Sequence, residues 1–130
     1  MNVGFVCIFI AFSLIYLIKI PTSIAMGKSA GGYDNRHPRD QQGKLEGWGR
    51  RAAAAHQNAF EAFAPFAAAV LVAHVSAVDP GTSATLAVVH IVARAIYPVL
   101  YIANIHWARS LVWLVGFGAT VALFIAALMV

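Results

Sequence analysis

The sequence contains few charged residues. Of its 130 residues, 11% are Asp, Glu, Lys or Arg, and 61% are hydrophobic. A soluble domain has about 25% charged and about 45–50% apolar residues. The composition therefore excludes an ordinary water-soluble domain and predicts a membrane protein. The length leaves room for a single domain, residues 1–130.

Cysteine and metal-binding patterns are also scarce. The one cysteine, Cys7, lies in an apolar run, so no internal disulfide can form. No histidine pair stands at a zinc-like spacing with carboxylates, and we expect no metal. The net charge of +4 comes mainly from one loop. Membrane orientation explains that loop more simply than nucleic-acid binding does, and we expect no nucleic-acid partner.

Long apolar runs are what the sequence does contain. The four runs are at residues 3–20, 52–77, 84–103 and 111–130. Each has close to the roughly 20 residues that span a bilayer. A backbone in lipid must be a helix or a closed barrel, and these runs are too long and too continuously apolar for barrel strands. We predict an all-α membrane protein, an up-down bundle of four transmembrane helices with a loop at 21–49.

The first and last runs support more specific predictions. A cleaved signal peptide would begin with a basic region, which Met1 and Asn2 do not supply. The first run is therefore predicted to be a retained helix. In the last run, Gly116 and Gly118 are expected to be points of close helix packing.

Lysine and arginine are distributed unevenly among the connections. Most of them lie in or beside the first loop: Lys28, Arg36, Arg39, Lys44, Arg50 and Arg51. Arg109 lies between the third and fourth runs, whereas the second connection has only Asp79. Short loops rich in Lys and Arg stay in the cytoplasm. We predict a bacterial inner-membrane protein whose two termini are periplasmic. The tryptophans lie near the cytoplasmic boundary, as an aromatic belt would: Trp48, Trp107 and Trp113.

Polar side chains interrupt the second run on one side. Arg51, Asn58 and Glu61 are separated by seven and three residues, which places them on one stripe of a helix. His56 falls on roughly the opposite side, near Phe60.

A matching stripe occurs in the third run. His90, Arg94, Tyr97 and Tyr101 are separated by four, three and four residues, so they share a helix face. A central charge costs about 2.5–3.5 kcal/mol on insertion scales and needs a partner or a cavity. The simplest pairing joins Glu61 to Arg94. This pair is either structural, fixing helix register, or part of a polar pocket that opens toward the cytoplasm.

These residues resemble the MAPEG family, the membrane-associated proteins in eicosanoid and glutathione metabolism. The similar stretches are "AHQNAFEAFAPFAAAVLVAH" at 55–74, "ARAIYPVLYIAN" at 93–104 and "ARS" at 108–110. The stretches "YDNRHPR" at 33–39 and "LEGWGRRA" at 45–52 resemble the small bacterial branch. The resemblance covers nearly the whole chain. It implies a homotrimer in membrane lipid, with sites at subunit interfaces near the cytoplasmic face.

The resemblance also implies a ligand and a set of residues. The family's eicosanoid and glutathione enzymes hold glutathione, and the matching positions here are Arg51, Asn58, Glu61, Arg94, Tyr97 and Tyr101. Arg109 matches an arginine near the glutathione sulfur and would stabilise a thiolate. One position departs from the pattern, because Ala54 stands where those enzymes have an arginine. That change removes one bidentate partner for a carboxylate.

Three functions remain open at the level of sequence. The first is a glutathione-dependent transferase or peroxidase acting on a lipophilic substrate, which Tyr97 and Tyr101 favour. The second is a non-catalytic MAPEG-fold component, or an accessory subunit of a larger membrane complex, which Ala54 favours. The third is a small transporter that uses Glu61 as a proton-coupled carboxylate. Small multidrug exporters carry their key glutamate in the first span, which has no acid here.

Overall fold

The structure is a computed structural model that describes every residue, Met1–Val130. Its helices are α1 (Val3–Gly27), α2 (Pro38–Gly43), α3 (Gly47–Val75), α4 (Pro80–Ile102) and α5 (His106–Leu128), and there is no strand. All except α2 are long and apolar enough to cross a membrane. The prediction of an all-α protein with four spanning helices is confirmed. We call the end of the bundle that carries α2 the loop end, and the opposite end the turn end.

The spanning helices extend beyond the apolar runs that predicted them. The loop predicted at 21–49 is wrong at both edges, because α1 continues to Gly27 and α3 begins at Gly47. Hydropathy marks only the lipid-compatible part of a helix, whereas the hydrogen-bond ladder can continue into polar residues. Pro21 lies inside α1, where it removes one backbone donor, and spanning helices tolerate that loss.

A side-chain cap at the turn end fixes the start of α4. Asp79 accepts hydrogen bonds from the backbone N–H and the hydroxyl of Thr82, both at 2.8 Å, and Pro80 follows as the first helical residue. These hydrogen bonds hold the pKa of Asp79 below its ordinary value. The cap therefore stabilises the fold above about pH 3.9 and weakens as the pH falls through the lowered pKa.

The first loop is ordered by hydrogen bonds to the bundle. The side-chain amide of Gln41 donates to the carbonyls of Gly32 at 2.8 Å and Met26 at 3.3 Å. The carboxylate of Asp34 accepts from the backbone N–H groups of Arg36 and His37, which lowers the pKa of Asp34. The loop is thus held against the end of α1 through Gln41.

Small residues set the distance between neighbouring helices. A Cβ atom at Gly49 would lie 2.8 Å from the Cβ of Ala25, so α1 and α3 cross closely at the loop end. A Cβ at Gly116 would lie 3.3 Å from that of Ala93, in agreement with the predicted close packing. The same prediction for Gly118 is wrong, because nothing lies within 4 Å of a Cβ there. Gly118 faces open space on the outer side of α5.

Candidate functional site

A cavity of about 230 Å³ lies between α3, α4 and α5. Its polar side chains come from all three helices, and its aromatic ones come from α5. The residues that matter most for its chemistry are Asn58, Glu61, His90, Arg94, Trp113 and Thr120. The predicted stripes of the second and third spans therefore meet at one cavity. Arg51, Tyr97 and Tyr101 do not line it and are described below.

Two buried groups at this cavity have no hydrogen-bond partner. Arg94 is 6% exposed, and its Nη2 donates to nothing. The Oδ1 atom of Asn58 is also buried and accepts nothing. The guanidinium of Arg94 lies over the ring of Tyr97, 4.6 Å from its centre. An unsatisfied buried polar group costs about 1–3 kcal/mol, so a polar ligand in the cavity would recover that cost.

The direct ion pair predicted between Glu61 and Arg94 is not present. Glu61 is exposed, and its carboxylate accepts from the amides of Asn58 at 3.3 Å and Gln57 at 3.4 Å. These donors lie three and four residues earlier on α3, within easy reach on a helix surface. Arg94 is meanwhile held over Tyr97. The two charges therefore line one cavity without forming a salt bridge.

A second cavity, of about 440 Å³, continues toward the loop end. It is lined by Tyr97, Tyr101 and Arg109, and by Trp113, which also lines the first cavity. The Arg109 guanidinium lies 4.3 Å from the ring centre of Tyr101, and the two tyrosine rings meet edge to face at 5.7 Å. The two cavities share Trp113 as a lining residue and are together called the site groove below.

Arg51 lies apart from the other predicted site residues. Its Nε donates to the backbone carbonyl of Ile102 at 3.0 Å. That carbonyl is one of the last in α4 and has no partner within the helix. Arg51 lines neither cavity of the site groove, so in this structure it caps α4.

His90 and the residues on α5 complete the first cavity. The Nδ1 of His90 lies 3.0 Å from the Gly116 carbonyl and 3.1 Å from the Thr120 hydroxyl. Its ring stacks on Phe66 with centres 3.8 Å apart. The sequence predicted that His90 lies on the polar stripe, but it predicted no contact for His90. It predicted Trp113 only as part of an aromatic belt, because α5 lacks the charged residues that marked the stripes on the other helices.

Comparison with known proteins gives one match. The model of the MAPEG family matches residues 3–129. Neither a search of curated proteins nor a search of solved structures returned a match. The matched segment includes every residue of the site groove.

Proposed function

Since the chain belongs to the MAPEG family, we propose that it is a glutathione-dependent transferase or peroxidase that acts on a lipophilic substrate. The family match and the four spanning helices make it a MAPEG-type integral membrane protein. The ligand and the reaction are the proposed part, and they depend on the chemistry of the site groove.

The observation that carries the proposal is the unpartnered pair of polar groups in the first cavity. Glutathione has two carboxylates, one amine and one thiol. The free Nη2 of Arg94 is suited to a carboxylate, and the exposed carboxylate of Glu61 is suited to the amine. The free Oδ1 of Asn58 would accept from a peptide N–H of the ligand. One ligand would thus satisfy groups that the chain leaves unsatisfied.

The second cavity offers a place for the thiol. A thiol has a pKa near 8.5, and a neighbouring cation lowers it. Arg109 supplies that cation, and it is oriented by its contact with the ring of Tyr101. The resulting thiolate would attack an electrophilic carbon and displace its leaving group, forming a thioether. With a hydroperoxide it would attack the terminal oxygen and break the O–O bond, giving an alcohol and a glutathione sulfenic acid, which a second glutathione converts to the disulfide with release of water. Trp113 and Leu114 line the same cavity and are exposed on the outer face of α5, so a lipophilic substrate would enter from the bilayer.

We propose that the functional unit is a homotrimer with the site groove at subunit interfaces. Gln57 and Glu61 are exposed on the outer surface of a spanning helix. Polar groups in the membrane normally face a protein partner or water rather than lipid. The basic first loop further supports a cytoplasmic loop end and periplasmic termini in a bacterial inner membrane.

The alanine at position 54 favours a second candidate function. The missing arginine at Ala54 takes away a carboxylate partner, and Ala54 does not line the site groove. This supports a MAPEG-fold component without catalysis, or an accessory subunit of a larger membrane complex. Turnover distinguishes the two functions.

The test is conjugation of glutathione to a lipophilic electrophile, together with reduction of a lipid hydroperoxide, by the detergent-solubilised protein. We expect turnover in at least one assay. Arg109→Gln should lower the rate at neutral pH by about 10-fold or more and move the pH midpoint of the rate upward, because the thiolate loses its cation. The matched control is Arg36→Gln in the exposed loop, which should match the parent. Glutathione binding without turnover in either assay would favour the second candidate.

A further inference from the structure

The two ring nitrogens of His90 have different surroundings. The residue is 2% exposed and lines the first cavity from α4. Its Nδ1 faces α5, where it lies 3.0 Å from the Gly116 carbonyl. The hydrogen bonds of the ring all involve Nδ1, and Nε2 has no partner within the chain. The proposed function uses Asn58, Glu61 and Arg94 at this cavity but gives Nε2 of His90 no role.

The contacts of Nδ1 determine which ring nitrogen carries the hydrogen. A carbonyl oxygen can only accept, so the contact with Gly116 assigns a hydrogen to Nδ1 of His90. The Thr120 hydroxyl lies 3.1 Å from the same nitrogen and itself donates to the Gly116 carbonyl at 3.2 Å. A neutral ring with its hydrogen on Nδ1 has a bare lone pair on Nε2. Nε2 is therefore a hydrogen-bond acceptor.

The packing of the ring fixes the direction of that lone pair. The ring stacks on Phe66 with centres 3.8 Å apart and planes inclined by 3°. Contacts on two sides, with Phe66 on α3 and with Gly116 on α5, leave His90 little freedom to turn. A second hydrogen on the ring would add a cation one helical turn from the buried guanidinium of Arg94. The surroundings thus suit a neutral, oriented acceptor.

The first cavity then presents a balanced set of groups. Its charged residues are one cation, Arg94, and one anion, Glu61. The Nη2 of Arg94 has no acceptor, whereas the Glu61 carboxylate and Nε2 of His90 can both accept hydrogen bonds. A ligand portion with one carboxylate and one ammonium would match this set and keep the cavity neutral overall. The α-amino acid end of a γ-glutamyl group is such a portion.

We propose that Nε2 of His90 accepts a hydrogen bond from the ammonium of a γ-glutamyl group and makes the first cavity specific for a free α-amino acid end. The inference rests on the proposed binding of glutathione. An ammonium has three N–H donors, and Glu61 on α3 approaches it from one side. His90 on α4 supplies an acceptor from another helix. An acylated nitrogen, which has lost its charge and two of its hydrogens, would be rejected.

The experiment is isothermal titration calorimetry of the detergent-solubilised protein with glutathione and with glutaryl-cysteinylglycine, in which a hydrogen replaces the amine. We expect the parent to bind this analogue at least about 10-fold more weakly than glutathione, because charge-assisted hydrogen bonds are lost. The comparison isolates the amine, since the two ligands share both carboxylates and the thiol.

The variant that tests His90 is His90→Phe. It keeps a ring to stack on Phe66 and leaves the Thr120 hydroxyl bonded to the Gly116 carbonyl. It should bind glutathione about 10-fold more weakly than the parent, because one hydrogen bond to a charged group is lost. It should bind the glutaryl analogue as the parent does, because that ligand has no ammonium to meet Nε2.

Two further variants support the comparison. His74→Phe is the matched control, because His74 also packs against a phenylalanine, Phe5, with ring centres 4.9 Å apart, but lines neither cavity of the site groove. It should bind both ligands like the parent. In His90→Gln, the amide oxygen can replace Nε2 as an acceptor, so this variant should recover part of the preference for glutathione.

Two results would overturn the proposal, and they separate it from the proposed function. No binding of glutathione by the parent would refute both. Saturable binding of glutathione, with the same ratio of affinities for the two ligands in His90→Phe as in the parent, would refute only the role of His90. Nε2 would then be a group that meets water.

If His90→Phe failed to fold, nitrogen NMR of the parent, labelled in its histidine rings, would test the same contact. The resonance of an unprotonated ring nitrogen shifts when that nitrogen accepts a hydrogen bond. Saturating glutathione should shift one such resonance, and saturating glutaryl analogue should leave it in place. Saturable glutathione binding without a shift in any histidine resonance would contradict the proposal.

Discussion

Arg94 and Glu61 show how differently two charges within the spans are accommodated. The carboxylate of Glu61 is exposed and accepts two hydrogen bonds from its own helix. The guanidinium of Arg94 is buried, contacts the face of Tyr97 and keeps one nitrogen without a partner. A ligand that accepts from this nitrogen would recover the cost of leaving it without a partner. A buried charged residue at a cavity is a candidate for a binding role.

The first prediction follows from that cost. Arg94→Met keeps much of the side-chain volume and removes the unsatisfied donor. The unliganded protein should be unchanged or up to about 2 kcal/mol more stable, because the recovered desolvation exceeds the lost contact with Tyr97. The measurement is the thermal midpoint in detergent, with Arg36→Met in the loop as the control. A clear fall in midpoint for Arg94→Met alone would show that Arg94 has a structural partner.

Spacing predicted which residues share a helix face but not which atoms meet. The stripe with Asn58 and Glu61 and the stripe with Arg94 do line one cavity. The expected contact between Glu61 and Arg94 was wrong, because local donors on α3 compete for the carboxylate. Arg51 fitted the stripe by spacing alone, yet the end of α4 lies close enough for the Nε of Arg51 to donate a hydrogen bond to its last carbonyl. Such outcomes depend on tertiary distances, which a helical period does not contain.

At the scale of the helices, the apolar runs identified each span but not its ends. The helices begin and end where caps and loop contacts interrupt the hydrogen-bond ladder. Asp79, for example, caps the first turn of α4. The role of Gly49 was not seen in the sequence, because it lies outside the second apolar run. The structure places it at a close approach of α1 and α3, against Ala25.

The second prediction tests that crossing. Gly49→Ala should destabilise the protein by about 1–3 kcal/mol, because its Cβ would lie 2.8 Å from that of Ala25 and overpacking forces the helices apart. Gly118→Ala is the matched control in an open part of α5. It should be neutral or stabilising by up to about 1 kcal/mol, since alanine is the better helix former. Thermal unfolding of both variants measures the difference, and equal midpoints would refute the close crossing.

At the scale of the whole molecule, one subunit leaves much of its spanning surface uncovered. Exposed side chains include polar groups on α3 and the large apolar groups of α1 and α5. Lipid can cover the apolar groups, but it cannot satisfy Gln57 and Glu61. The charge distribution and hydropathy gave the membrane class, whereas the assembly depends on how these exposed surfaces meet.

The third prediction concerns that assembly. Native mass spectrometry from a mild detergent should show a species with three copies of the chain, because the polar surface of α3 requires a protein partner. Replacing Gln57 and Glu61 together by leucine should weaken selection of the trimer, since the polar surface then suits lipid. A parent protein found only as a monomer or dimer would refute the trimer.

The central claim, that the site groove holds glutathione, is tested most directly by isothermal titration calorimetry of the detergent-solubilised protein with glutathione. We predict saturable binding to the parent and to Arg36→Met. Binding to Arg94→Met should be about 10-fold weaker or more, because a charge-assisted hydrogen bond contributes about 1.5–3 kcal/mol. No binding heat with the parent, or equal affinity for Arg94→Met and the parent, would contradict the account.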